Sequence, residues 1–274
     1  MPAVSPPVNH KAVNRTPAIA LNARASQDFA SKLAHTRAAL TQLALDHPAA
    51  SGHTTITQAS SLGAEDLVIS HLINALQLDI DIFVLDTGML HDQTLQLLQT
   101  LQHTSRAPVA VYQPVAEAVI AFVAREGKDA MYKSIALRKA CCQIRKLEPL
   151  DRALSGKTAW ITGLRREQSG ARAEVTLLDN SDPNRLKVNP LADWTWGDVW
   201  HYIEVNQVAY NPLHDEFFPS IGCQPCTRAI SLGEDFRAGR WWWESEQEGG
   251  AAKECGLHVK NPASTATASP GVAL

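Results

Sequence analysis

No run of apolar residues in this chain approaches the roughly 20 needed to span a bilayer, although 45% of its 274 residues are hydrophobic. There is no internal repeat, and residues 1–25 carry scattered basic residues without an apolar segment, so we expect no secretory signal peptide. An excess of one charge is also lacking, because the formal net charge is only −3. These absences argue against a membrane protein and against a nucleic-acid-binding protein. We expect a cytoplasmic protein.

The two ends of the chain differ in composition from its middle. Residues 1–25 are rich in Pro, Ala and Asn and residues 261–274 in small side chains, which predicts disordered tails. The ordered domain is predicted over residues 26–245. Residues 246–260, which begin with a Gly- and Ala-rich stretch, are predicted to be a mobile segment that carries one cysteine.

Strand-like and helix-like segments alternate along the predicted domain. The predicted strands cover residues 54–59, 80–85, 109–112 and 158–162, and the predicted helices cover 27–46, 65–76, 90–101, 115–123 and 136–147. Short connections between such segments favour right-handed crossovers, and hence an α/β fold with a parallel sheet and flanking helices. Ligands bind beyond the carboxyl ends of the strands in such sheets. The loops predicted there are 60–66, 86–91 and 163–172.

The five cysteines fall into two close pairs and one that is left over. They are Cys141 and Cys142, Cys223 and Cys226, and Cys255. Two pairs of soft ligands suit zinc or an iron–sulfur cluster. Adjacent helical residues point about 100° apart, so a doublet reaches one zinc awkwardly and the spacing favours iron–sulfur. A spare thiol near a predicted mobile end suits covalent redox chemistry. The alternatives are buried apolar cysteines and disulfides, which a cytoplasmic chain does not keep.

The loop after the first predicted strand offers an anion site. Ser60, Ser61 and Gly63 precede a predicted helix, whose first amides can bind a phosphate. The same residues also suit an ordinary helix cap. The loop lacks the lysine of a Walker sequence, and Glu65 and Asp66 fit a monoester better than a triphosphate.

Two further loops extend this edge of the predicted sheet. Leu85, Asp86, Thr87 and Gly88 follow the second strand, where their backbone can meet a base edge and the carboxylate a ribose, or simply cap a helix. Arginines follow the fourth strand and recur beside three tryptophans near residue 240, and they favour bidentate anion binding. These residues are Gly163, Arg165, Arg166, Arg172, Arg237 and Arg240.

At this point the chain resembles the assimilatory sulfonucleotide reductases, specifically the iron–sulfur branch that reduces adenylyl sulfate (APS). The resemblance covers nearly all of the predicted domain and is highly specific in combination. The matching stretches are SSLGAEDLV (60–68), VLDTGMLHDQT (84–94), KACCQIRKLEPL (139–150), ITGLRREQSGAR (161–172), NPLADWTW (189–196), YNPLHDEFFPSIGCQPCT (210–227), EDFRAGRWWWE (234–244) and KECGLH (253–258).

The resemblance implies a fold of the adenine nucleotide alpha hydrolase (PP-loop-like) type and one [4Fe–4S] cluster per chain, on Cys141, Cys142, Cys223 and Cys226. It implies that Cys255 is the nucleophile that attacks the sulfur of APS and releases AMP. A thioredoxin or glutaredoxin would then free sulfite from the S-sulfocysteine. Related reductases of phosphorylated APS (PAPS) lack the other four cysteines, so APS is favoured, with PAPS or dual activity as the alternative.

Positive charge must surround an anion that attacks a polyanion. The predicted supply is Lys146, which lies one helical turn after Cys142, together with Arg145 and the loop arginines. His258, three residues after Cys255, is predicted to lower the thiol pKa. We also expect a homo-oligomer.

Two other classes remain as alternatives. A tRNA-thiolation enzyme of similar fold would need an SGGxDS-type loop and a basic RNA-binding face. An iron–sulfur redox sensor would need the four paired cysteines but neither Cys255 nor the arginine loops.

Overall fold

The computed structural model describes residues 17–49 and 54–244. Six strands in these residues form one sheet in the order β3-β2-β1-β4-β6-β5. Every neighbouring pair is parallel except β5 and β6, which are antiparallel at one edge. The strands are β1 (Ile56–Ser60), β2 (Asp81–Leu85), β3 (Val109–Tyr112), β4 (Ala159–Ile161), β5 (Leu178–Asp179) and β6 (Leu186–Val188).

Helices connect these strands. They are α1 (Pro17–Asn22), α2 (Phe29–Asp46), α3 (Ala64–Ala75), α4 (Asp92–Thr104), α5 (Ala116–Glu126), α6 (Ile135–Cys142), α7 (Glu148–Ala153) and α8 (Trp196–Asn206), with a π-helix, Gln143–Leu147, between α6 and α7. Short 3-10 turns occupy Ala130–Tyr132, Arg166–Gln168, Gly170–Arg172, Pro212–Glu216 and Gln224–Cys226.

Both faces of the sheet are covered at its centre, because β4 is wholly buried and four of the five residues of β1 are buried. On β2, Ile82 faces a core that it shares with α2, α3 and α8. Phe83 faces a second cluster, which contains Leu150 of α7 and Leu154 directly after that helix. Successive side chains of a strand alternate between faces. The sheet therefore separates two cores, and its carboxyl-terminal edge is left for a ligand.

The four predicted strands and the α/β class are confirmed, and β3 has the predicted bounds. The helix predicted over 136–147 instead stops at Cys142 and continues as the π-helix. Pro149 has no N–H to donate to the carbonyl of Arg145, and its ring would collide with that carbonyl in a regular helix. The prediction omitted β5, β6 and α8.

The amino-terminal tail was predicted too long. Within the predicted tail of residues 1–25, Pro17–Asn22 form α1, Ala18 is buried, and its N–H donates to Asp215 Oδ1 at 3.0 Å. The rest of that tail, the predicted mobile segment 246–260 and the tail 261–274 lie outside the described residues. Within the described ranges, no helix has both the length and the apolarity that crossing a membrane requires.

Candidate active site

A pocket opens at the carboxyl ends of β1, β2 and β4, where the sequence predicted the ligand loops to meet. It brings together most of the predicted substrate-binding residues with the predicted catalytic lysine. Those lining it are Ser60, Ser61, Gly63, Glu65, Asp66, Leu85, Thr87, Lys146, Gly163, Arg172, Arg237 and Arg240.

One side of the pocket, which we call the loop wall (Ser61, Glu65, Asp66, Gly163 and Gln168), is closed by its own hydrogen bonds. The N–H and hydroxyl of Ser61 both donate to Asp66 Oδ2 at 2.7 Å. A Cβ on Gly163 would lie 2.5 Å from Asp66 Oδ1, so only glycine allows this approach of β4 to α3. Burial raises the pKa of Asp66 to about 6. Gly63 holds the N-cap position of α3 without a side-chain capping bond, and Ser61 uses its donors on Asp66, so the serines do not cap this helix.

Arg165 belongs to the loop wall's support rather than to the pocket lining. Its guanidinium is fully buried and pairs with Glu65 Oε1 at 2.9 Å, where Gln168 Nε2 also donates at 2.9 Å. Arg165 also pairs with Glu167 at 2.8 Å. The structure therefore uses this predicted substrate-binding arginine to neutralise a buried carboxylate.

Four other predicted residues lie beside the pocket lining. Arg166 is exposed, pairs with Asp193 and donates to the Val175 carbonyl at 2.7 Å. Arg145 donates to the Thr87 carbonyl at 2.7 Å. Asp86 Oδ1 accepts from the N–H of Gly88 at 3.0 Å and so shapes the turn after β2.

A second group of pocket-lining side chains, which we call the basic wall, consists of Lys146, Arg172, Arg237 and Arg240. Arg172 also donates to Gln168 Oε1 of the loop wall at 2.5 Å. The guanidinium of Arg240 is buried, lies across Gly222 and donates to the Ile221 carbonyl at 3.1 Å. Among the described residues its Nε has no hydrogen-bond partner. Uncompensated positive charge at a buried site favours an anionic ligand.

Four thiols lie in the described part of the chain, and charges of the basic wall reach two of them, Cys141 and Cys226. All are buried and none forms a disulfide; Cys142, Cys223 and Cys226 share one packed cluster with Met131 and Trp241. Cys141 lies close enough to Cys223 and to Lys146 for their charges to act on its thiol.

The electrostatics of these thiols favour the neutral form. Burial raises the pKa of Cys141, and burial together with neighbouring Cys223 raises that of Cys226 to about 12. Lys146 opposes both shifts.

The arrangement and the chemistry of the donors bear on which metal centre the thiols can hold. Within residues 17–49 and 54–244, no three His, Cys, Asp or Glu side chains are arranged to hold a single metal ion. Four soft sulfur donors gathered in one buried region nevertheless fit a thiolate-bound iron–sulfur cluster in chemistry, since such a cluster takes four cysteines. A cluster spreads its ligands over several iron atoms, so it does not require the donors to converge on a single ion.

Sequence reasoning missed His214, which lines the pocket from the turn Pro212–Glu216. Its ring is buried, and neither ring nitrogen has a partner among the described residues. Burial lowers its pKa to about 4, so the imidazole is neutral near pH 7. The only signal for His214 in the sequence is its place in the stretch YNPLHDE (210–216).

The apolar end of the pocket was also missed. Phe83, Leu150 and Trp160 line it and provide flat surface for a planar group. The predicted nucleophile Cys255 and its neighbour His258 lie outside the described residues.

The region of this chain that is similar to known proteins includes most of the pocket. A sequence model of the phosphoadenosine phosphosulfate reductase domain matches residues 55–229, which span every pocket segment except the last. The chain belongs to this family. A relative from Allochromatium vinosum, named adenosine 5'-phosphosulfate reductase, is 50% identical over 74% of this chain and 78% of its own length.

Solved structures agree on the fold of this family member. A phosphoadenylyl-sulfate reductase from Candida auris, solved as a phosphate complex, aligns with a TM-score of 0.59 at 24% identity over 76% of this chain and 98% of its own. Candida glabrata FMN adenylyltransferase, solved with FAD and pyrophosphate, aligns at 0.53 with 12% identity over 82% of this chain and 77% of its own. The predicted PP-loop-like fold is thereby confirmed.

Proposed function

We propose that this family member is an oxidoreductase acting on sulfur, which converts adenosine 5'-phosphosulfate to sulfite and AMP in assimilatory sulfate reduction, towards cysteine. The observation that carries the proposal is the basic wall, which lines the same pocket as the apolar end and whose Lys146 lies close enough for its charge to act on the buried thiols of Cys141 and Cys226. The name of the relative that is 50% identical supports it.

The pocket suits the two halves of such a substrate. A purine fits the flat apolar surface of Phe83, Leu150 and Trp160. The phosphosulfate is then met by the basic wall, where Arg240 has unused donor capacity.

The chemistry assigned to this pocket is nucleophilic displacement at sulfur. The Cys255 thiolate attacks the sulfate sulfur, an S–S bond forms, the S–O bond to the phosphate breaks, and AMP leaves. A dithiol protein of the thioredoxin or glutaredoxin type then attacks Cys255 Sγ, and sulfite leaves. Its second thiol closes a disulfide, so the dithiol supplies both electrons.

Within this scheme Lys146 offsets the negative charge that gathers when a thiolate approaches a polyanion. It lines the pocket, and its charge also reaches Cys141 and Cys226. His258 is assigned to lowering the Cys255 pKa. Assembly into a homo-oligomer stays a prediction.

We assign the four buried cysteines to one [4Fe–4S] cluster, which when bound supplies a charged centre that fixes the surrounding segments. The thiols must lose their protons to bind iron. Cys142→Ser is expected to lose iron and turnover together, measured as iron per chain and sulfite release after anaerobic purification. Full activity without iron would remove the cofactor from the proposal.

The decisive experiment incubates the reduced enzyme with APS and no thiol donor. The first step needs only the nucleophile and the leaving group, so AMP should be released and intact mass should rise by one SO3 per chain. Thioredoxin should remove this adduct, and Cys255→Ser should never form it while still binding APS.

Two outcomes would change the assignment. If AMP appears only after thioredoxin is added, and no adduct forms, direct attack by the donor replaces Cys255 as first nucleophile. If PAPS forms the adduct as readily as APS in a parallel incubation, the dual-substrate alternative replaces APS specificity.

A further inference from the structure

We infer that the buried ion pair between Arg138 and Glu244 is a strut that holds the two cysteine pairs at a fixed separation, so that four thiolates can close on one cofactor. The inference rests on the iron–sulfur cluster proposed above and adds two residues that act on it from outside the ligand set. Arg138 and Glu244 are 106 positions apart, and neither lines the pocket.

The first end of the strut is set in the helix of the first cysteine pair. Arg138 lies on α6 four residues before Cys142, and therefore on the same face of the helix. The side chain of Ser134 caps the start of α6 by accepting from the Leu137 N–H at 3.2 Å. Because Arg138, Cys141 and Cys142 lie in the same helix, holding Arg138 in place also holds the two cysteines in place.

The ion pair between Arg138 and Glu244 is bidentate and buried. Arg138 Nε lies 2.8 Å from Glu244 Oε1, and Nη2 lies 3.0 Å from Oε2. The two side chains are only 3% and 4% exposed. Two parallel charge-assisted bonds fix both distance and orientation, which one bond to a flexible group would not.

The second end reaches the other cysteine pair through Trp241. The N–H of Glu244 donates to the Trp241 carbonyl at 3.0 Å, and the N–H of Trp241 donates to the Cys226 carbonyl at 3.2 Å. The guanidinium of Arg138 also lies over the Trp241 ring, 4.5 Å from its centroid. One continuous set of contacts therefore joins α6 to Cys226.

Backbone strain at Trp241 shows that these contacts determine its position. Its φ is 45°, a left-handed conformation that non-glycine residues adopt at a cost. Such strain persists only where the surroundings over-determine it. Trp241 packs in the same cluster as Cys142, Cys223 and Cys226, so the strained residue sits between the two cysteine pairs.

A buried ion pair is weak support for a role in stability alone, because apolar residues of similar volume often replace one without loss. A directional role is different, since apolar packing does not reproduce bidentate geometry. The strut therefore predicts that an apolar replacement restores thermal stability but not cofactor retention.

The test measures iron release to a chelator at 25 °C from anaerobically purified protein, with visible absorbance and iron per chain as parallel readouts. Glu244→Gln and the double variant Arg138→Met/Glu244→Leu should each release iron about tenfold faster than wild type, as is usual when a residue supporting metal ligands is changed. Glu244→Asp serves if Glu244→Gln does not fold.

Asp198→Asn is the matched control. It breaks the ion pair of Asp198 with Lys32 at 3.1 Å, whose side chains are 0% and 14% exposed, between α2 and α8. This variant should lower Tm while leaving the iron-release rate at the wild-type value.

The outcomes separate the strut from the cluster itself. Wild-type release rates in the Arg138 and Glu244 variants would overturn the strut alone, as would equal acceleration by Asp198→Asn. Wild-type protein that binds no iron at all, even after anaerobic purification, would overturn both the cluster and the strut.

Discussion

The two walls of the pocket treat charge in opposite ways. In the loop wall Asp66 and Glu65 receive donors from Ser61, Arg165 and Gln168, so the wall is satisfied before any ligand arrives. In the basic wall the described contacts of Arg240 go to neutral oxygens and to the ring of Trp241, and its Nε is left without a partner. The loop wall therefore maintains the shape of the pocket, whereas the basic wall has a donor available for an anionic ligand.

The largest effect should come from removing charge in the basic wall. Lys146→Ala is expected to lower kcat about 100-fold to 1000-fold, as the loss of one oriented donor does, because Lys146 lines the pocket beside the thiols. Turnover with APS and the Tm are measured together. Unchanged turnover would make the lysine part of the scaffold and erase the contrast between the walls.

The pH dependence of stability should separate two buried groups of the pocket. The pKa of Asp66 is raised to about 6, so its contribution is present below its unfolded pKa of 3.8 and is lost as pH rises through 6. The pKa of His214 is lowered to about 4, so its contribution is present above 6.5 and is lost as pH falls towards 4. The two slopes oppose each other over nearly the same window.

Replacing either residue alone should reveal how the other changes the free energy of unfolding with pH. Relative to wild type, Asp66→Asn should gain stability as pH rises from about 4 to 6, because the opposing slope of Asp66 is gone. His214→Leu should show the reverse. Denaturant unfolding at several pH values measures both, with differences on the order of 3 kcal/mol across the window. Parallel curves for all three proteins would contradict the assignment of the two shifts.

A methyl group at Gly163 should damage the loop wall specifically. Gly163→Ala would place Cβ 2.5 Å from Asp66 Oδ1 and 2.9 Å from Glu65 Cβ, so α3 must shift away from β4. Overpacking of this kind costs about 1–3 kcal/mol. Gly170→Ala, where nothing lies within 4 Å of the added Cβ, is the control and should unfold at the wild-type denaturant concentration.

The smallest effect is expected at Arg166. Arg166→Ala removes an exposed ion pair with Asp193 whose partners are 42% and 61% exposed. Such pairs contribute about 0–1 kcal/mol, and the residue does not line the pocket. KM for APS and Tm should both stay near wild type, and a large rise in KM would bring Arg166 back to the substrate.

The sequence predicted the sheet well because strand-like and helix-like segments alternate with short connections, a pattern typical of a parallel α/β sheet. It omitted β5 and β6, since two- and three-residue strands carry no period of their own. It omitted α8 although Thr195 and Asp198 form a capping box at its start, because Trp196, Trp200 and Tyr202 give no clear apolar stripe.

The site was predictable in place but not in detail. Topology alone puts the three loops at one edge of a parallel sheet. It does not say that Arg165, Arg166 and Arg172 divide into a buried, an exposed and a pocket-lining side chain. Two consecutive 3-10 turns direct them apart, and the partner of Arg165 is a carboxylate 100 positions away.

The place of β4 in the sheet has a consequence for how the chain assembles. Ile56 of β1 pairs with Ala159 of β4, so the centre of the sheet closes only after a long stretch of chain has been made. The first cysteine pair precedes β4 in sequence and the second follows α8. Pairings between such distant segments form slowly. A nascent chain interrupted before Cys223 is therefore expected to complete much of its sheet before its two cysteine pairs come together, so loading of the proposed cofactor would be one of the last events of folding.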